Sequence, residues 1–158
     1  MEAGDRIVLP ATVKTLRVEG SRENRLGGHG DQVQWPIAVL RNGGSSDLSV
    51  VQGAESAIGD KLFAGPLVAE EDWCVLERRR QGIKIRIRLE PQKTPYLGLW
   101  ICYGGWPEGP GTKQMCVALE PATAPVDSLA EMGGWSRTLG SGESYSWAMR
   151  VEIEVARG

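Results

Sequence analysis

Histidine is almost missing from this sequence: His29 is the only one in 158 residues. The three cysteines, Cys74, Cys102 and Cys116, form no C-x-x-C spacing, so the ligand sets of a structural zinc site are lacking and no metal or cofactor is expected. An odd, unpatterned cysteine count also argues against a disulfide framework and makes a reducing cytoplasm the expected home. No apolar run approaches the roughly 20 residues that span a bilayer. The first residues, Met-Glu-Ala-Gly-Asp-Arg, are acidic and polar where a secretory leader is basic and then apolar. An excess of one charge is lacking as well. Lys and Arg number 18 against 20 Asp and Glu, and the basic residues are dispersed apart from Arg78-Arg79-Arg80, which leaves no electropositive footprint for nucleic acid. Helical periodicity is nearly absent. The one short helical candidate runs from Val126 to Met132, where Asp127 or Ser128 is placed to cap a turn before Gly133-Gly134 ends it.

What is present points to strands. With 21 Gly and 9 Pro, the chain has turn residues enough to separate many short elements. From Ile83 to Leu89 aliphatic and basic residues alternate without a break, which puts Ile83, Ile85, Ile87 and Leu89 on one face and Lys84, Arg86 and Arg88 on the other. The run from Trp73 to Arg80 precedes it, and Gln81-Gly82 reads as a hairpin turn between the two. Trp147, Met149, Val151, Ile153 and Val155 repeat the same period at the C-terminus, with Trp147 expected in the core. Weaker strand signals cover Arg6 to Leu9, Val13 to Val18, Leu97 to Tyr103 and Gln114 to Leu119. Gly20 to Asp31, Asn42 to Ser46 and Gly104 to Lys113 read as loops. The expectation is one domain over residues 1–158: an all-β antiparallel β-sandwich with at most one short helix. The cations at 78–80, 84, 86 and 88 are expected to be solvated or paired with carboxylates.

Four segments in order carry a more specific signal: Thr94-Pro95-Tyr96-Leu97-Gly98-Leu99-Trp100, Val117-Ala118-Leu119-Glu120-Pro121, Val126-Asp127-Ser128-Leu129 and Leu139-Gly140-Ser141-Gly142-Glu143-Ser144. Together with Trp35-Pro36 and Lys61-Leu62-Phe63, this succession resembles the closing part of the aldose 1-epimerase (galactose mutarotase-like) family. The resemblance implies part of a galactose mutarotase-like supersandwich. Family members are longer, and their catalytic histidines lie ahead of the part matched here, so it further implies the C-terminal half of a larger domain.

The resemblance assigns Glu120 to the family's catalytic base. Mutarotation needs a base for the anomeric hydroxyl proton and an acid for the ring oxygen. Glu120 ends an apolar run and Pro121 follows it; on residue type alone it is a solvated carboxylate at a strand end. His29, the only acid of the usual type, lies in Gly27-Gly28-His29-Gly30-Asp31 and reads as a solvated loop histidine. Trp35, Trp100 and Trp106 stand near loop ends, where an indole can stack on a pyranose. Core packing is the more common fate of any one of them. Lys61 and Asp31 carry groups that hydrogen-bond sugars, although both types are ordinary at a surface. The expected function is a carbohydrate-binding domain related to aldose 1-epimerases and lacking full catalytic machinery; the alternative is an active aldose 1-epimerase with Glu120 as base. A sugar and a second copy of the chain are the expected partners, with neither nucleic acid nor membrane.

Overall fold

The computed structural model describes residues 1–20, 24–131, 133–135 and 137–156. Eleven strands are found among them: β1 (Arg6–Val8), β2 (Thr15–Glu19), β3 (Gln32–Gln34), β4 (Ile37–Val39), β5 (Ser45–Asp47), β6 (Ile58–Ala64), β7 (Trp73–Arg78), β8 (Ile83–Arg88), β9 (Tyr96–Tyr103), β10 (Met115–Ala122) and β11 (Arg150–Val155). They form an antiparallel four-stranded sheet in the order β1-β7-β8-β11, a five-stranded sheet in the order β10-β9-β6-β2-β3, and the small pair β4-β5. The all-β sandwich expected from the alternating runs is the fold.

Register explains how the sandwich closes. In the five-stranded sheet Val18 lies opposite Leu62, Leu62 opposite Leu99, and Leu99 opposite Leu119. Residues directly opposite share a face, so these four make one apolar row across four strands. From the other sheet Ile7 and Cys74 reach the same core, where Val18, Leu62, Leu99 and Cys74 are fully inaccessible to water. Burial pushes the Cys74 thiol up to about 12, so it stays protonated and packs as a small hydrophobe.

The expected hairpin forms between β7 and β8, with Trp73 opposite Arg88 and Arg78 opposite Ile83. Its turn is a 3-10 segment, Arg79–Gln81, closed by Gly82 at φ +63°, the left-handed conformation that glycine adopts at least cost. Its cations are paired: Lys84 with Glu77 at 3.2 Å, Arg88 with Asp72 at 3.1 Å, and Arg86 stacked 5.6 Å from the Trp73 ring.

Four expectations need correction. The helix placed at Val126 to Met132 is a 3-10 turn over Leu129–Glu131, with Met132 itself outside the described residues; the helical segments described are all 3-10 turns of three residues. Ser45 and Ser46, read as loop, belong to β5, which pairs β4. The C-terminal strand begins at Arg150, not at Trp147. Trp147 is 44% exposed, because among the described residues nothing packs over the apolar side of β11.

Two buried carboxylates anchor the ends of the fold. Asp5, 1% exposed, accepts from Arg78 Nε at 2.8 Å and from the Arg79 amide at 3.1 Å. Asp60 accepts from Arg25 Nε at 2.9 Å and NH2 at 2.7 Å, which ties the loop before β3 to the middle of β6. No helix among the described residues is long and apolar enough to cross a membrane.

Candidate functional site

The face of the five-stranded sheet turned away from the core is polar, and the same register builds it. Arg17 lies opposite Phe63, Phe63 opposite Gly98, and Gly98 opposite Glu120. One step along the strands, Glu19 lies opposite Lys61, Lys61 opposite Trp100, and Trp100 opposite Ala118. The alternation of β2, Thr-Leu-Arg-Val-Glu, is what sends Leu16 and Val18 inward and Arg17 and Glu19 to this face.

Lys61 is the hub. Its ammonium contacts Glu120 Oε2, lies 3.6 Å from Asp127 Oδ1 and sits 5.3 Å from the centre of the Phe63 ring. Gly98 makes this possible. A Cβ added there would come within 3.1 Å of Phe63 Cε1 and 3.2 Å of Glu120 Oε2, so the missing side chain is the floor under the carboxylate. Trp100, half-buried, extends its ring over Gly59 beside Lys61, with Cη2 3.6 Å from where a Gly59 Cβ would stand.

The segment after β10 folds back over this face. The Asp127 amide donates to Glu19 Oε1 at 3.3 Å, and Arg17 Nε donates to the Pro125 carbonyl at 3.3 Å. Asp127 therefore faces Lys61 and does not cap a helix. Glu19 is 5% exposed and its Oε2 has no hydrogen-bond partner among the described residues; Nδ1 of the His29 ring lies 3.6 Å away. His29 Nε2 stands 3.0 Å from Glu131 Oε2 and 3.1 Å from Arg17 NH2. The reading of His29 as a solvated loop residue thus gives way to a ring one-third exposed and set between Glu19, Arg17 and Glu131. Its loop is fixed because Gly30 and Asp31 bond to Val18 as a continuation of the β2–β3 ladder. Gly30 sits at φ +89°, a conformation that side chains other than glycine's rarely adopt, so the turn beside His29 favours a bare residue.

The candidate residues divide accordingly. Lys61, Trp100 and Glu120 meet on adjacent strands. Trp35 does not join them: its neighbour Gln34 points outward and Trp35 packs against the hydrophobic core. Trp106 is 49% exposed on the loop past the end of β9. Asp31 accepts from the Gly28 amide at 2.8 Å and so caps its own loop. Residues not anticipated are Arg17, Glu19 and Trp135, whose indole lies 6.0 Å from the Arg17 guanidinium. Trp135 also helps line an open cleft of about 420 Å³ with Lys93, Thr123, Arg137 and Thr138, beginning three residues beyond Glu120. Arg137 in turn stacks on Tyr145 at 3.8 Å.

Among the described residues, Glu19, His29 and Glu131 form the group whose ligand atoms all lie within 4.8 Å of one another, a spacing that suits a metal ion. The Arg17 guanidinium already sets a positive charge against His29 Nε2. The trio is accounted for as part of a charge network that runs from Glu120 through Lys61, Asp127 and Glu19 to His29. Such a network offers hydroxyl groups several charged acceptors and donors at fixed positions beside an indole. No protein-family model matches the chain, and no curated protein or solved structure matches it either.

Proposed function

We propose that the protein is a carbohydrate-binding domain that holds an aldose or a derivative of one on the polar face of its five-stranded sheet. The observation that carries this reading is the Lys61–Glu120 contact over the bare Gly98, flanked by the half-buried Trp100. A pyranose presents vicinal hydroxyls at its rim and C–H groups on its faces. A carboxylate accepts from the first, an ammonium donates to them, and an indole covers the second. The neighbouring cleft has the volume of a small-ligand site, for which roughly 300–1,000 Å³ is usual. The resemblance of residues 94–100 and 117–121 to aldose 1-epimerase-like proteins favours sugars over other polyols. It is also the basis for naming Glu120 as the group that meets the anomeric hydroxyl.

A second reading, active mutarotation, draws support from His29. Set beside Glu19 at the same sheet face, it is a residue of the type that protonates a ring oxygen while Glu120 takes the anomeric proton. Binding without turnover ranks first because Glu120 is engaged by Lys61. Titration calorimetry against a panel of aldoses and polarimetry on freshly dissolved anomers separate the two. Binding of at least one aldose is expected, weakened at least about tenfold in Glu120→Gln, since a hydrogen bond to a charged group contributes roughly 1.5–3 kcal/mol. Accelerated mutarotation lost in Glu120→Gln would promote the second reading. No heat with any aldose would refute both.

A further inference from the structure

Strand β11 leaves an apolar row in the open. Met149, Val151, Ile153 and Val155 are 52%, 49%, 65% and 64% exposed, and Trp147 precedes them at 44%. Single exposed apolar side chains are ordinary, but a contiguous row along one strand marks an interaction surface. On the other side of the same strand Glu152 lies within 4.0 Å of Arg86 and 3.9 Å of Arg88.

β11 is also the last strand of its sheet, so its outer edge presents backbone groups with no ladder partner among the described residues. Register identifies them. The Ala156 amide donates to the Gly82 carbonyl at 2.8 Å, and Val155 lies opposite Ile83. In an antiparallel ladder the bonded pairs alternate, so even-numbered residues turn their N–H and C=O toward β8 while Val151, Ile153 and Val155 turn theirs outward.

We propose that this edge pairs with β11 of a second copy, antiparallel about a two-fold axis through Val151. Any axis on a residue from Arg150 to Glu154 keeps apolar side chains on one face and brings outward-facing backbone groups together, and charge selects among them: an axis at Arg150 or at Glu154 sets that side chain's charge against itself. An axis at Ile153 sets Glu152 against the second copy's Glu154, and an axis at Glu152 sets that carboxylate against itself; like charges directly opposite are destabilising. An axis at Val151 sets Arg150 against the second copy's Glu152, twice. It also aligns the apolar row along its whole length, Met149 with Ile153 and Trp147 with Val155, which accounts for the alternation continuing beyond the strand's first residue. The same patch serves both copies, as a closed two-fold interface requires.

Light scattering on the full chain at micromolar concentration is expected to give a dimer. Arg150→Glu, which places two acids opposite Glu152, is expected to raise the dissociation constant at least about tenfold. Ile153→Pro is expected to give a monomer with unchanged far-ultraviolet circular dichroism, since its amide points outward and contributes nothing to the β8 ladder. The axis itself is read by cross-linking in a Cys116→Ser background. Val151→Cys lies opposite its own copy with a Cα separation of about 5.5 Å, inside the roughly 4.4–6.8 Å that a disulfide spans, and is expected to form a covalent dimer under mild oxidation. A monomeric wild type overturns the proposal. So does a dimer that survives Ile153→Pro, or cross-linking through Glu152→Cys or Ile153→Cys in place of Val151→Cys.

Discussion

Arg25→Met is expected to destabilise the fold by about 3–5 kcal/mol at neutral pH, the usual cost of stranding one member of a buried ion pair. Asp60 is 1% exposed in the middle of β6, and Arg25, itself about one-quarter exposed, supplies both of its charged hydrogen bonds. Burial is the larger influence on Asp60 and raises its carboxyl pKa above the ordinary value, while Arg25's hydrogen bonds and charge act in the opposite direction. The sign of the pH dependence follows. Because the folded state holds this proton more tightly than the unfolded state does, Asp60's contribution to stability declines as pH rises from the ordinary carboxyl value through the raised one. Removing Arg25 removes the influence that limits the shift, so the variant's deficit is full at neutral pH and narrows as acid protonates Asp60. Urea unfolding across that range, with an unchanged slope and a shifted midpoint, is the check. Asp60→Asn is expected to cost less, since Arg25 can turn to water.

Lys61→Met is expected to lower affinity for the aldose by about ten- to a hundredfold. A charged hydrogen bond contributes roughly 1.5–3 kcal/mol, and each 1.4 kcal/mol or so changes affinity about tenfold. Lys61 is only 14% exposed at the side chain, contacts Glu120, lies 3.6 Å from Asp127 and stands opposite Glu19 in the ladder. Without its charge these carboxylates face one another across the sheet. The strand alternation is untouched, so unfolding by urea is expected to change far less than binding by calorimetry. Lys61→Arg, which keeps the charge, is expected to retain most of the affinity.

Much of the fold was legible because strands with one buried and one solvated face carry a period of two. The β7–β8 hairpin and β11 were read from that alternation. The same rule misled at Trp147, since alternation shows which side is apolar and not whether another layer covers it. Strands β3, β4 and β5 have three residues each, too few for a period to register. In the site, Lys61, Trp100 and Glu120 could be named one at a time, but their meeting depends on cross-strand register between segments up to 59 residues apart, which no local pattern encodes. His29 was read as solvated because its loop is glycine-rich. What fixes it is tertiary: the Gly30 and Asp31 bonds to Val18, and the buried Glu19 beneath its ring. A signal for Glu19 and Arg17 did exist. Thr15 to Glu19 alternates polar and apolar, which places both charges on the face opposite Leu16 and Val18.

In the proposed function this sheet face, with Trp100 as its aromatic wall, receives a sugar. Tryptophan emission during aldose titration tests it most directly, comparing the wild type with Trp100→Phe, which leaves five of the six tryptophans in place. A saturable quench in the wild type that disappears in Trp100→Phe is the predicted result. No response to any aldose, or an identical response in both proteins, would contradict it.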